Sequence, residues 1–270
     1  MKRKYILMFC VVVSLLLQAC SLQKTAANEG SKALPSNKLI SVEDLAPYFD
    51  QYLNAAMVLS DGVSSVIYNE SFSARQLSPY STFKILNALI ALEVGVVKID
   101  NSIRKWDGTK YDRVELNQDQ DLASAMRYSA VWYYQQLARE IGKNNMQNYL
   151  NKIGYGNMDI SGGIDRFWLS SSLLISANEQ LDFIIRLYYN RLPFSQKNME
   201  YVKSIMRQSG YPIEVYGKTG SSGNGDGWFI GYALLNNKPY FFATYIAGNG
   251  ATSPQARDKT IKIIEGFLSR

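Results

Sequence analysis

The chain has 270 residues and a formal net charge of +6, and its 47% hydrophobic and 13% aromatic content is enough for a sizeable core. It contains no histidine and only two cysteines, which excludes a serine–histidine triad, a histidine metal centre and a disulfide scaffold. No stripe of Lys and Arg runs along it, so no nucleic acid partner is expected.

The amino end reads as an export signal. Lys2, Arg3 and Lys4 precede an apolar run from Tyr5 to Leu17, too short for the ~20 residues of a bilayer span. The run ends in "LLLQAC", with Leu17, Ala19 and Cys20 placed as in a lipoprotein signal-peptidase site. Residues 1–19 are therefore expected to be removed and Cys20 to be lipidated. The protein would then be exported to the outer face of the cytoplasmic membrane or the periplasm, with the lipid as its only membrane contact. Gln18 is unusual at such a site, and an ordinary signal peptide cut nearby is the alternative. Cleavage removes Cys10, leaving no internal disulfide, and takes away three positive charges, leaving +3. Residues 20–38 are small, polar and aperiodic and read as a flexible tether. Residues 39–270 read as the folded part.

Within it, "VEDLAPYFDQY" (42–52) predicts a short helix despite Pro47. "AAMVLSDGVSSVIYNE" (55–70) predicts a hairpin turning at Asp61-Gly62. A helix is expected from Pro79 to Glu93, with Ser78 as its cap and Pro79 in the first helical position. Residues 121–206 read as mostly helical. "SAVWYYQQLAREIG", "NMQNYLNKIG" and "SANEQLDFIIRLYYNRL" repeat apolar residues every three or four positions, and two of these stretches stop at Gly142 and Gly154. "IEVYGKTGS", "GWFIGYALLNN" and "PYFFATYIAG" then predict three strands, and a last helix covers Ser253 to Leu268. Strands at both ends with helices between them predict an α+β fold: one antiparallel sheet formed from both chain ends and flanked by helices, with an inserted all-helical lobe. The active site is expected in the cleft between sheet and lobe.

Four short motifs occur in order: Ser81-Thr82-Phe83-Lys84, Ser129-Ala130-Val131, Tyr155-Gly156-Asn157 and Lys218-Thr219-Gly220. Each alone is weak, and a capping serine with a surface lysine would explain the first. Yet Lys84 sits among Phe83, Ile85, Leu86 and Leu89. Helix spacing places Ser81 and Lys84 on one face, which is the serine-plus-base arrangement of covalent catalysis with lysine in the place of histidine. An exposed lysine, with a pKa of about 10.4, is a poor base at neutral pH, and burial lowers that value.

Together with "WDGTK" (106–110), "YGNMDISGGIDRFWL" (155–169) and "GWFIGY" (227–232), the four motifs resemble the class D (oxacillinase-type) serine β-lactamases, within the penicillin-recognising serine enzymes. The resemblance runs from Val58 to the carboxyl end. It implies a catalytic domain over 39–270 that hydrolyses penicillin-type β-lactams through an acyl-enzyme on Ser81. It further implies that Lys84 reacts with carbon dioxide to become N6-carboxylysine, the general base, with no metal and no other cofactor. By the same resemblance Ser129 relays a proton to the leaving nitrogen. Lys218 and Thr219 of Lys218-Thr219-Gly220 hold the substrate carboxylate, and Ser221 donates a backbone N–H to the oxyanion hole. Trp168 donates its indole N–H to the carboxylated lysine, and Val131, Phe83 and Leu169 wall it off. Trp168 by spacing alone reads as a core aromatic. Arg257, expected to bind the substrate carboxylate, reads equally as a solvated helix arginine. Three departures border the cleft: Phe229 and Tyr232 where many relatives have tryptophan, Tyr80 where a small residue is common, and a short glycine-rich loop from Ser221 to Gly227. The competing readings are a penicillin-binding transpeptidase or carboxypeptidase, and a β-lactam-sensing domain that is acylated without fast turnover. Val131 and the absence of histidine for a receptor's zinc protease weigh against the sensor.

Overall fold

The computed structural model describes residues 40–268, so the expected signal, Cys20 and the tether lie outside the described residues. Helix α1 (Val42–Phe49) opens with a capping box in which Ser41 and Asp44 satisfy each other's backbone N–H groups. Strands β1 (Asn54–Ser60) and β2 (Ser65–Tyr68) form the hairpin, and its turn is held by the Asp61 carboxylate, which accepts from Val63 and Ser64 N–H. A short helix α2 (Glu70–Ser73) follows. The helix expected from Pro79 is two pieces, a 3-10 turn (Tyr80–Phe83) and helix α3 (Lys84–Glu93). Ser78 does not cap it. Pro79 holds the cap position with no side-chain bond, and the Ser78 carbonyl accepts instead from Trp228 Nε1 at 3.0 Å.

The helical lobe continues with α4 (Leu122–Tyr128), α5 (Val131–Ile153), α6 (Ala177–Tyr188) and α7 (Gln196–Ile205). Gly142, at φ 77 and ψ 159, interrupts α5, and Gly154 ends it in the left-handed region. Residues 155–175 are turns and loop, a non-helical stretch within the mostly helical 121–206. The reason is local. Asn157 ties this stretch to itself, its Oδ1 accepting from Leu174 N–H and its Nδ2 donating to Ser172 O. Strands β3 (Arg207–Gln208), β4 (Glu214–Gly220), β5 (Asp226–Leu235) and β6 (Lys238–Ala247) and helix α8 (Ser253–Leu268) complete the chain.

The six strands form one antiparallel sheet in the order β2-β1-β6-β5-β4-β3, so the first strand lies beside the last. Successive side chains of a strand face opposite ways. Phe229, Ala233, Phe242 and Ile246 accordingly meet Leu45 and Phe49 of α1 and Ile261 and Ile264 of α8. Trp228, Ile230, Phe241 and Ala243 meet the helical lobe, where Phe83, Tyr133, Tyr134 and Trp168 are buried. The α+β class and the sheet drawn from both chain ends are therefore observed. Among the described residues no helix is long and apolar enough to cross a membrane.

Candidate active site

The candidate nucleophile lies in the 3-10 turn, where winding at three residues per turn eclipses positions i and i+3. This sets Lys84 beside Ser81, and Lys84 Nζ donates to Ser81 Oγ at 2.6 Å. Lys84 has no exposed surface. Burial holds its amine well below the ordinary lysine value, and the positive charges of Lys218 and Arg113 push the same way. The ring of Tyr134 lies 5.6 Å from Nζ.

A chain of buried hydrogen bonds fixes this turn. Tyr155 Oη donates to Gln180 Oε1 at 3.2 Å, Gln180 Nε2 to Thr82 Oγ1 at 2.8 Å, and Thr82 Oγ1 to Pro79 O at 2.7 Å. Strand β4 closes against the turn's other side. A Cβ on Gly220 would stand 2.8 Å from Pro79 O, so only glycine permits this approach. Lys218 lies two residues earlier on β4, is 4% exposed and donates to Thr219 O at 2.9 Å. Its pKa is lowered to about 7 by burial and then by the charges of Arg113 and Arg257. Past the strand, Ser221 Oγ donates to the Asp226 backbone carbonyl at 2.9 Å and to its carboxylate at 3.1 Å. The backbone N–H groups of Ser81 and Ser221 have no acceptor among the turn, loop and cap hydrogen bonds of the described residues.

Ser129 occupies the left-handed corner between α4 and α5, at φ 55 and ψ 41, and Val131 opens α5. Trp168 is fully buried, and its Nε1 has no hydrogen-bond partner. Its indole stacks on Phe83, the neighbour of Lys84, at 5.3 Å between centroids. The loop bearing it is held by Tyr155-Gly156-Asn157. Gly156 has φ +56, and a Cβ there would lie 2.0 Å from Leu174 O, so that glycine is dictated by sterics. Arg257, on α8, is engaged by its neighbours: Nε pairs with Asp258 at 3.0 Å and the guanidinium lies 5.8 Å from the centre of the Tyr211 ring. Leu169 is half-buried beside Trp168.

The structure thus joins Ser81 to Lys84 directly and couples Lys84 to Lys218 by charge. Sequence reasoning missed Gln180, Arg113 and Asp226. Gln180 is 98 residues from Thr82 and carries no local signal. Arg113 sits in the loop after "WDGTK", where a solvated arginine is unremarkable. Among the described residues no cluster of three or more Cys, Asp or Glu is placed to hold a metal ion.

Comparison with known proteins identifies the family. The penicillin binding protein transpeptidase domain family matches residues 47–265. "Probable beta-lactamase YbxI" of Bacillus subtilis (strain 168) is 42% identical over 204 residues, 74% of this chain and 75% of that protein. The structure of "Class D beta-lactamase BAT-2" superposes with a TM-score of 0.80 at 39% identity, covering 85% of this chain and 98% of the other. "Regulatory protein BlaR1" of Bacillus licheniformis is 38% identical over 275 residues, 98% of this chain but 45% of the regulator. The chain belongs to the penicillin binding protein transpeptidase-domain family and, within it, to the class D β-lactamases, which are hydrolases.

Proposed function

We propose that the chain opens the ring of penicillin-type β-lactams through an acyl-enzyme on Ser81 and then hydrolyses that ester, with Lys84 carboxylated by carbon dioxide as the general base. The observation that carries this reading is the 2.6 Å contact of a fully buried, pKa-lowered Lys84 with Ser81. Only a neutral amine reacts with carbon dioxide, and burial favours the neutral form of Lys84. The unpartnered Nε1–H of Trp168, in a wall made with Phe83, fits an added anionic group. Carboxylated, Lys84 supplies an oxygen base that accepts a proton where an ammonium ion cannot.

In acylation the Ser81 Oγ–H bond gives its proton to Lys84 as Oγ bonds to the lactam carbonyl carbon. Charge developing on the carbonyl oxygen meets the N–H groups of Ser81 and Ser221. The lactam C–N bond then breaks, and the nitrogen takes a proton through Ser129. Lys218, Thr219, Gly220 and Arg257 line the place of the substrate carboxylate. An approaching carboxylate stabilises the charged form of Lys218, so binding draws a proton onto an amine that is half neutral near pH 7. In deacylation Lys84 takes a proton from water as its oxygen attacks the ester, and Ser81 leaves and is reprotonated.

The test is stopped-flow kinetics and intact-mass spectrometry with benzylpenicillin, in degassed buffer containing a chelator and then with bicarbonate restored. The expected result is a transient Ser81 adduct and turnover that bicarbonate restores. Full activity without carbon dioxide would make the free Lys84 amine the base instead. A second reading, a sensor that stays acylated, is favoured by the match with BlaR1 along 98% of this chain. A persistent adduct even with bicarbonate would select it. Export as a Cys20 lipoprotein completes the proposal, and mass analysis of the mature amino end tests it.

A further inference from the structure

Tyr80, the residue before the nucleophile, has φ +49, a conformation uncommon for any side chain but glycine and unexpected for a bulky ring. Burial and then the nearby Asp226 charge push the pKa of the Tyr80 hydroxyl up, so the ring ends beside that carboxylate. Asp226 is 7% exposed and takes part in none of the ion pairs among the described residues. A buried carboxylate without a cation persists where several donors satisfy it. Ser221 Oγ donates to its Oδ1 at 3.1 Å, Ser222 N–H at 2.7 Å and Ser222 Oγ at 2.9 Å. Asp226 also lies on the same face of β5 as Trp228, whose Nε1 holds Ser78 O. One carboxylate therefore stands between the two peptide segments that border Ser81: it is hydrogen-bonded to Ser221 and Ser222 on one side, and its charge acts on Tyr80 on the other.

The backbone angles of Tyr80 orient the peptide that carries the Ser81 N–H, and the pinned side chain of Ser221 fixes the loop that carries the Ser221 N–H. We propose that Tyr80 and Asp226 are positioning residues that set the spacing of these two N–H groups, so that the strained turn is held in register with the end of β4. The inference rests on the proposed acyl-transfer reading, in which those groups stabilise the oxyanion.

The variants are Tyr80→Phe, which keeps the ring, Asp226→Asn, which keeps the shape, and the pair together. Three quantities are read: the acylation rate constant and substrate affinity for benzylpenicillin, and the inhibition constant of phenylboronic acid, whose tetrahedral serine adduct places an oxygen in the same hole. Losing one oxyanion donor outright costs ~10²–10³ in rate. A displaced donor should cost about tenfold in acylation and about tenfold in boronate affinity, with substrate affinity little changed. The double variant should be no worse than the worse single variant, because both act on one clamp. Variants that melt earlier yet acylate and bind boronate like the parent would overturn the proposal, as would independent, multiplicative losses. Should Asp226→Asn fail to fold, Tyr80→Phe alone decides by the same readouts. The boronate arm stands apart from turnover. If the parent protein binds boronate but does not hydrolyse penicillin, the hydrolase reading fails while the clamp is still scored.

Discussion

Replacing Trp168 by phenylalanine separates a packing role from a recognition role, because the two predict different responses to bicarbonate. In the free protein Trp168 Nε1 is a buried donor with no partner, a situation that costs ~1–3 kcal/mol. The phenylalanine removes that donor but empties roughly 40 Å³, which at ~24 cal/mol per Å³ costs about 1 kcal/mol. In carbon-dioxide-free buffer these terms oppose each other, and the variant should melt close to the parent. With bicarbonate the parent gains a hydrogen bond to a charged group, ~1.5–3 kcal/mol that phenylalanine cannot make. The variant should therefore bind carbon dioxide about 10- to 150-fold more weakly. At saturating bicarbonate that same free energy appears as stability. At ~2–4 °C per kcal/mol for a domain of this size, the bicarbonate-induced rise in Tm should be ~3–12 °C smaller in the variant. Scanning fluorimetry with and without bicarbonate reads this, and a carbon-13 carbamate signal from labelled bicarbonate gives occupancy directly. Equal bicarbonate responses in the two proteins, or none in the parent, would refute the reasoning and leave Trp168 as a packing residue.

Ser81→Ala should leave a folded protein that forms no covalent adduct with benzylpenicillin, since Ser81 is only half-buried and lies outside the core; intact mass checks it. Lys218, lowered from 10.5 to about 7, binds fewer protons folded than unfolded between those values. Its contribution to stability therefore rises as pH climbs through that window and is least below pH 7. Lys218→Met should accordingly raise Tm more at pH 6 than at pH 10, and thermal scans at the two values test the sign. Gly156→Ala places a Cβ 2.0 Å from Leu174 O at a positive φ, and strain of that kind is worth ~1–3 kcal/mol before the clash is added. Both Tm and the deacylation rate should fall, because the displaced loop carries Trp168.

What the sequence revealed and what it hid follow from the range of the interactions. The hairpin at Asp61-Gly62 and the three late strands were legible because alternation and turn chemistry are local. The Ser81–Lys84 pairing was legible from its spacing, although the turn there is 3-10 rather than α, which eclipses the two side chains more closely than an α-helical turn would. Ser78 read as a cap because serine commonly is one, whereas tertiary contact won: Trp228, 150 residues away, claims its carbonyl. The loop at 155–175, inside the mostly helical 121–206, is likewise set by contacts distant in sequence. Gly156 and Asn157 divert the chain into a loop whose bonds run to Ser172 and Leu174. Asp226 and Gln180 were invisible because nothing near them in sequence marks the partners they find in space.

The pairing of β1 with β6, Asn54 opposite Ala247, also governs when the protein becomes reactive. Pairings so distant in sequence make folding slow, because the intervening chain must be ordered before the contact is made. The turn that carries Ser81 leans on Gly220 of β4 and on Trp228 of β5, so the amino-terminal half cannot by itself assemble the geometry around the serine. A chain emerging from the ribosome thus carries an inert hydroxyl until its last strands arrive. Reactivity is acquired only at the close of folding.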